Sequence, residues 1–285
     1  MKPGLVVCGP DVSRGPLALL SGTFEEKVQK AAQLGYRGIE LMVRDPAFLD
    51  RSALKAVVAA SGLEVPQVVT GELFGADGLC LVTADKELRQ RALARTRAVI
   101  ELAAELGAMV NIGRLRGRLS FLGGVADPWA VAAEQLREAI AFAAREGVKI
   151  TLEPLNRYET DFIYTAADGL QMIEMLGYPN VGLMLDTFHM NIEEPSLAAA
   201  LRTAGDRLWH VHIADSHRRY PGSGHLDFDT IFSTLYELGY QGYVSAELLP
   251  LPDPDTAAQK TIEFLKVHIG ASGMKGGQFL ATQTA

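Results

Sequence analysis

Eight times along the chain a helical pattern stops at a glycine, and an apolar, strand-like run follows within a few residues. The stops are Gly35, Gly62, Gly107, Gly147, Gly177, Gly205, Gly239 and Gly270. A glycine just past the last helical turn takes the left-handed backbone without a Cβ clash, so each stop has a mechanism. The unit also repeats as words: Leu34-Gly35-Tyr36-Arg37-Gly38 resembles Leu238-Gly239-Tyr240-Gln241-Gly242, and Leu176-Gly177-Tyr178-Pro179-Asn180 is a third version. Helices alternating with strands imply a parallel sheet, and eight repeats favour a closed (β/α)8 TIM barrel over an open sheet.

Strands are expected at residues 5–9, 38–43, 64–70, 108–112, 149–153, 181–186, 208–213 and 243–248. Several are nearly continuous apolar runs, as in parallel strands covered on both faces. One barrel over residues 1–270 accounts for the pattern, and residues 271–285 read as a weakly patterned tail. The Gly- and Pro-rich stretches 71–78, 114–124 and 220–224 fall just after strands, where a barrel builds its active-site loops.

Composition narrows the class of partner. The net charge of −7 offers no basic footprint for nucleic acid. No apolar run approaches the ~20 residues of a membrane helix, so no membrane partner is expected. The run Leu5-Val6-Val7-Cys8 is too short for a signal segment and reads as a first strand. Two cysteines in apolar surroundings, Cys8 and Cys80, suggest no disulfide framework and point to the cytoplasm.

Charged residues end the last four strands: Glu153 in Thr151-Leu152-Glu153-Pro154, Asp186 in Leu185-Asp186-Thr187, His212 in His210-Val211-His212-Ile213, and Glu247 in Ser245-Ala246-Glu247-Leu248. A charge at the end of a buried strand is costly unless it is paired or metal-bound. Four on consecutive strands converge on one point above the barrel mouth. Three carboxylates and an imidazole make a hard, mostly oxygen site for one divalent cation, Mn²⁺ first, with Mg²⁺ and Co²⁺ also suitable. Such a cation polarises a ketone, and proton removal beside that ketone needs a carboxylate base. Inversion needs a second acid/base on the opposite face, and Glu153 and Glu247 lie three strands apart. His210 is read as facing away from His212, behind the barrel wall, while His225 and His268 are read as surface or helix residues.

These residues also carry a family resemblance. Glu153-Pro154-Leu155-Asn156-Arg157-Tyr158-Glu159-Thr160, Met184-Leu185-Asp186-Thr187-Phe188-His189-Met190-Asn191 and the stretch from His210 to His225 resemble the D-tagatose 3-epimerase group of the xylose isomerase-like sugar isomerases and epimerases. The resemblance implies a metal on Glu153, Asp186, His212 and Glu247, and C3 proton exchange by Glu153 and Glu247 through a cis-enediolate. It assigns Glu159, His189 and Arg218 to substrate oxygens and suggests a homodimer or homotetramer. In the first half, Val43-Arg44-Asp45-Pro46, Ala76-Asp77-Gly78-Leu79 and Gly113-Arg114-Leu115-Arg116-Gly117-Arg118 are more similar to a branch associated with 5-keto-L-gluconate epimerase. The expected partner is therefore a small keto sugar or keto-sugar acid, with Arg44 and Arg116 as candidate carboxylate partners. The alternatives are an aldose–ketose or hydroxypyruvate-type isomerase on the same metal and a sugar-binding barrel without turnover. An abasic-site endonuclease would need more histidines at the mouth and a basic face.

Overall fold

The structure is a computed structural model that describes residues 1–270. The tail expected at 271–285 lies outside the described residues. Eight parallel strands close into a barrel in sequence order. They are β1 (Lys2–Cys8), β2 (Gly38–Met42), β3 (Gln67–Val69), β4 (Met109–Ile112), β5 (Ile150–Leu152), β6 (Val181–Asp186), β7 (Leu208–Ile213) and β8 (Tyr243–Ala246). Closure runs through β1 and β8, with Lys2 opposite Tyr243 and Leu5 opposite Ala246.

The glycine stops work as the sequence suggests. Gly35, Gly62, Gly107, Gly147, Gly177, Gly205 and Gly239 all have positive φ, though Gly205 at ψ −130° is not left-handed helical, and Gly270 lies at the limit of the described residues, within its helix. The first helix, Phe24–Leu34, shows the unit in full. Thr23 and Glu26 form a reciprocal capping box, Phe24, Val28 and Ala31 are buried, and Gly35 ends the helix at φ 96°. β3 is shorter than expected because Pro66 has no N–H to give the ladder; only an isolated bridge from Gly38 to Glu64 remains before it.

Alternate residues of each strand face the helices and the barrel axis. Ile39, Leu41, Val68, Val110, Ile150, Leu183, Val211 and Val244 belong to one continuous buried apolar cluster. The opposite parity is different. Branched apolar side chains usually fill the inside of such a barrel. Here Glu40, Gln67, Asn111, Thr151, His210, His212 and Ser245 are buried. Most of them bond to one another across the axis. Among the described residues no helix is long and apolar enough to cross a membrane.

Candidate active site

Strand ends at the C-terminal mouth place the four expected residues together. One donor atom each from Glu153, Asp186, His212 and Glu247 lies within 4.8 Å of all the others. Asp186 also caps the helix Thr187–Glu193: Phe188 N–H donates to Oδ1 at 2.8 Å. Its Oδ2 and the Nδ1 of His212 are buried with no hydrogen-bond partner. Two buried ligand atoms without partners, beside two further carboxylates, are what a divalent cation would satisfy, so the donor set fits a metal.

Glu153 is buried and receives Asn111 Nδ2–H at 3.3 Å. A Cβ at Gly113 would collide with Glu153 Oε2, so the glycine keeps room for the carboxylate. Gly113 also stands at φ −98°, ψ −110°, outside the main regions open to a residue with a Cβ. Gly113→Ala is therefore expected to strain this turn and displace Glu153, read as at least a ~10-fold loss of divalent-metal affinity in protein whose barrel is checked by circular dichroism.

The carboxylates crowd each other. Burial and the nearby Glu247 push Glu153 up to about 8. Burial likewise pushes Asp186 up to about 6, against the pull of Arg218. Burial opposes charge on His212, but Glu40 outweighs it and pushes the imidazole up to about 10. Burial also disfavours charge on Glu40, yet His210 and His212 hold it well below the ordinary carboxylate range.

Arg218 closes one side. It stands at φ 60°, a region non-glycine residues avoid, in a loop organised by Asp215. The guanidinium lies 4.7 Å from the Phe188 ring centre and donates at 2.9 Å to both Glu159 and Glu247. His189 accepts at Nδ1 from Asn156 N–H at 3.2 Å. That bond assigns its proton to Nε2, 3.8 Å from both Glu153 and Asp186. Burial and Arg218 hold His189 well below its usual pKa, so it is a neutral donor facing the cluster. Glu153, Glu159, His189, Arg218 and Glu247 all line one cavity, with Met42 and Leu155 among its apolar wall.

The two carboxylate partners expected in the first half do not reach it. Arg44 is half exposed and paired with Asp77 at 2.6 Å. Arg116 is fully buried and donates to the backbone carbonyls of Gly113, Glu153, Phe162 and Ile163. It pins the β4 and β5 loops together and has no access to a substrate. Arg114 lines the cavity instead.

The orientation expected for His210 is also corrected. Strand side chains alternate with a period of two, so His210 and His212 share a face. Both imidazoles point into the barrel and donate from Nε2 to opposite oxygens of Glu40, at 2.6 Å and 2.9 Å. Glu40 was missed in the sequence, although it is the only charged residue of an apolar strand, where a charge must find partners.

The fold is that of a TIM-barrel enzyme, with the strand-end cluster at its C-terminal mouth. The chain belongs to the xylose isomerase-like TIM barrel family, whose sequence profile matches residues 28–268. It is 35% identical over 225 residues to an L-ribulose 3-epimerase of Mesorhizobium japonicum, covering 78% of this chain and 74% of that one. It is 34% identical over 252 residues to a 3-dehydro-D-guloside 4-epimerase of Escherichia coli, covering 85% and 93%. A solved L-ribulose 3-epimerase structure superposes with a TM-score of 0.80 at 28% identity, covering 94% of each chain. The epimerase relatives place the chain among isomerases of the ketose 3-epimerase type.

Proposed function

We propose that this enzyme epimerises a keto sugar or keto-sugar acid at the carbon beside its ketone. Glu153, Asp186, His212 and Glu247 would hold one divalent cation, Mn²⁺ by preference. The observation that carries the reading is the pair Glu153 and Glu247, two carboxylates from separate strands on one cavity with Asp186 and His212 between them.

A bound cation supplies Lewis acidity toward the ketone. The remaining chemistry belongs to the chain. One glutamate takes the proton from the carbon next to the carbonyl, and the C–H electron pair moves into the carbonyl to give an enediolate. The other glutamate returns a proton to the opposite face, inverting the centre. The reaction is reversible, so each serves as base in one direction and acid in the other. Arg218 and the Nε2–H of His189 are donors for the developing oxyanion, and Glu159 accepts from a substrate hydroxyl. Met42 and Leu155 help exclude water. The free, buried Cys8 and Cys80 support a reducing, cytoplasmic setting.

Arg114 supports the keto-sugar acid within that class. Its guanidinium has one weak contact, to Gly71 O at 3.5 Å, and forms no ion pair among the described residues. The test is kcat/KM on free ketohexoses and on hexulosonates, with product NMR in deuterated water. Arg114→Gln is expected to cost roughly 10- to 100-fold on the acids, the worth of a charge-assisted hydrogen bond, and little on free hexoses. A wild-type preference for free hexoses would overturn the acid reading. A product with its carbonyl moved would overturn epimerisation.

A further inference from the structure

Beneath Glu153, Asp186, His212 and Glu247 the barrel interior holds a connected set of polar side chains, of which only His212 belongs to the proposed metal site. Thr151 Oγ1–H donates to Gln67 Oε1 at 2.5 Å. That bond fixes the amide, so the Gln67 Nε2 donor turns to Glu40 Oε2 at 3.1 Å. The same oxygen accepts His212 Nε2–H at 2.9 Å, and the other oxygen of Glu40 accepts His210 Nε2–H at 2.6 Å. Glu40, Gln67, Thr151, His210 and His212 are all buried. The set runs from β5 through β3 and β2 to β7.

We infer that Glu40 is a positioning residue for the metal ligand His212, and that Gln67, Thr151 and His210 hold it in place. An imidazole can offer Nδ1 to a cation only if its proton sits on Nε2 and the ring is aimed. Both conditions need an acceptor at Nε2. Glu40 is that acceptor, and Nδ1 is the atom left without a partner beside Asp186 and Glu247. A carboxylate that received only His212 could swing. Glu40 is held from two further directions, by His210 and by the amide whose orientation Thr151 sets. Thr151 lies two residues before Glu153 on one strand, so the set joins the strands of two ligands through β2 and β3, which contribute no ligand themselves.

The inference rests on the metal site proposed above, and metal affinity tests both. The wild type and variants are stripped of metal, checked for fold by circular dichroism, and titrated with Mn²⁺ by calorimetry. Co²⁺-loaded protein is followed by its visible absorption. Glu40→Ala is expected to weaken Mn²⁺ by roughly 10- to 100-fold, the usual cost of removing a second-layer partner. Glu40→Gln retains one acceptor oxygen and the volume. Its loss is expected to be smaller, with shifted Co²⁺ bands, and it reads the same point if the alanine variant does not fold. Thr151→Val keeps the shape and removes only the bond that orients Gln67. It is expected to weaken Mn²⁺ by about 2- to 10-fold, the range of one neutral hydrogen bond. A purely structural role would lower the melting temperature and leave affinity and Co²⁺ bands unchanged in all three folded variants; that result overturns the inference. Failure of the wild type to bind any divalent cation overturns the metal site, and the inference with it.

Discussion

Glu153→Gln and Glu247→Gln are each expected to lower kcat/KM for epimerisation by roughly 10²- to 10⁴-fold, the span of a lost general acid or base. Glutamine keeps an oxygen that can face the cation but cannot take up or release the proton. The labelling pattern separates this role from a general loss of structure. With one glutamate gone, the survivor still removes and returns the proton on its own face. In deuterated water each variant should therefore wash deuterium into one epimer without inverting it, and the two variants should choose opposite epimers. Metal content after dialysis checks that the ligand set has survived. Undiminished epimerisation in either variant, with its metal content matching wild type, would sink the two-glutamate mechanism.

Stripping the enzyme with a chelator is expected to cut turnover roughly a thousandfold, since the cation is assigned several kcal/mol of charge stabilisation. Mn²⁺ should restore it. The response to pH follows from the crowded carboxylates. Glu153 at about 8 and Asp186 at about 6 both lie above the ordinary carboxylate values of 4.5 and 3.8. Between the ordinary and raised values the folded, metal-free protein binds more protons than the unfolded chain. Its stability from these groups is greatest at the acid end and falls as pH rises toward 8. A cation must displace those protons and the one on the His212 ring. Mn²⁺ affinity should therefore rise with pH from 6 to 8, with net proton release measured by calorimetry in buffers of different ionisation enthalpy. The melting temperature should gain more from Mn²⁺ at pH 8 than at pH 6. Affinity flat across that range would show that the cluster carries no extra protons.

The fold was legible because its punctuation is chemical. Helix-ending glycines and buried apolar strands repeat with the unit, and neither depends on distant partners. The convergence of Glu153, Asp186, His212 and Glu247 was legible for a related reason: barrel geometry brings consecutive strand ends together without knowledge of any side-chain angle. The arginines were not legible. Arg114 and Arg116 are two residues apart in one Gly-rich loop, and a short 3₁₀ turn decides that Arg116 goes inward to backbone carbonyls while Arg114 faces the cavity. Nothing in the local composition separates them. His210 was misplaced for a simpler reason, since the two-residue period puts it on the same face as His212. Glu40 needed long-range information, because its partners lie on a strand some 170 residues later.

Arg114 stands on a loop, while the proposed acid/base pair and metal ligands stand on strand ends braced from below. That separation bears on how such an enzyme could change over evolutionary time. Loops after β3 and β4 can be lengthened, shortened or recharged with little effect on the sheet. A lineage could therefore exchange one sugar for another by altering those segments, while the proton-transfer apparatus passes through the change intact.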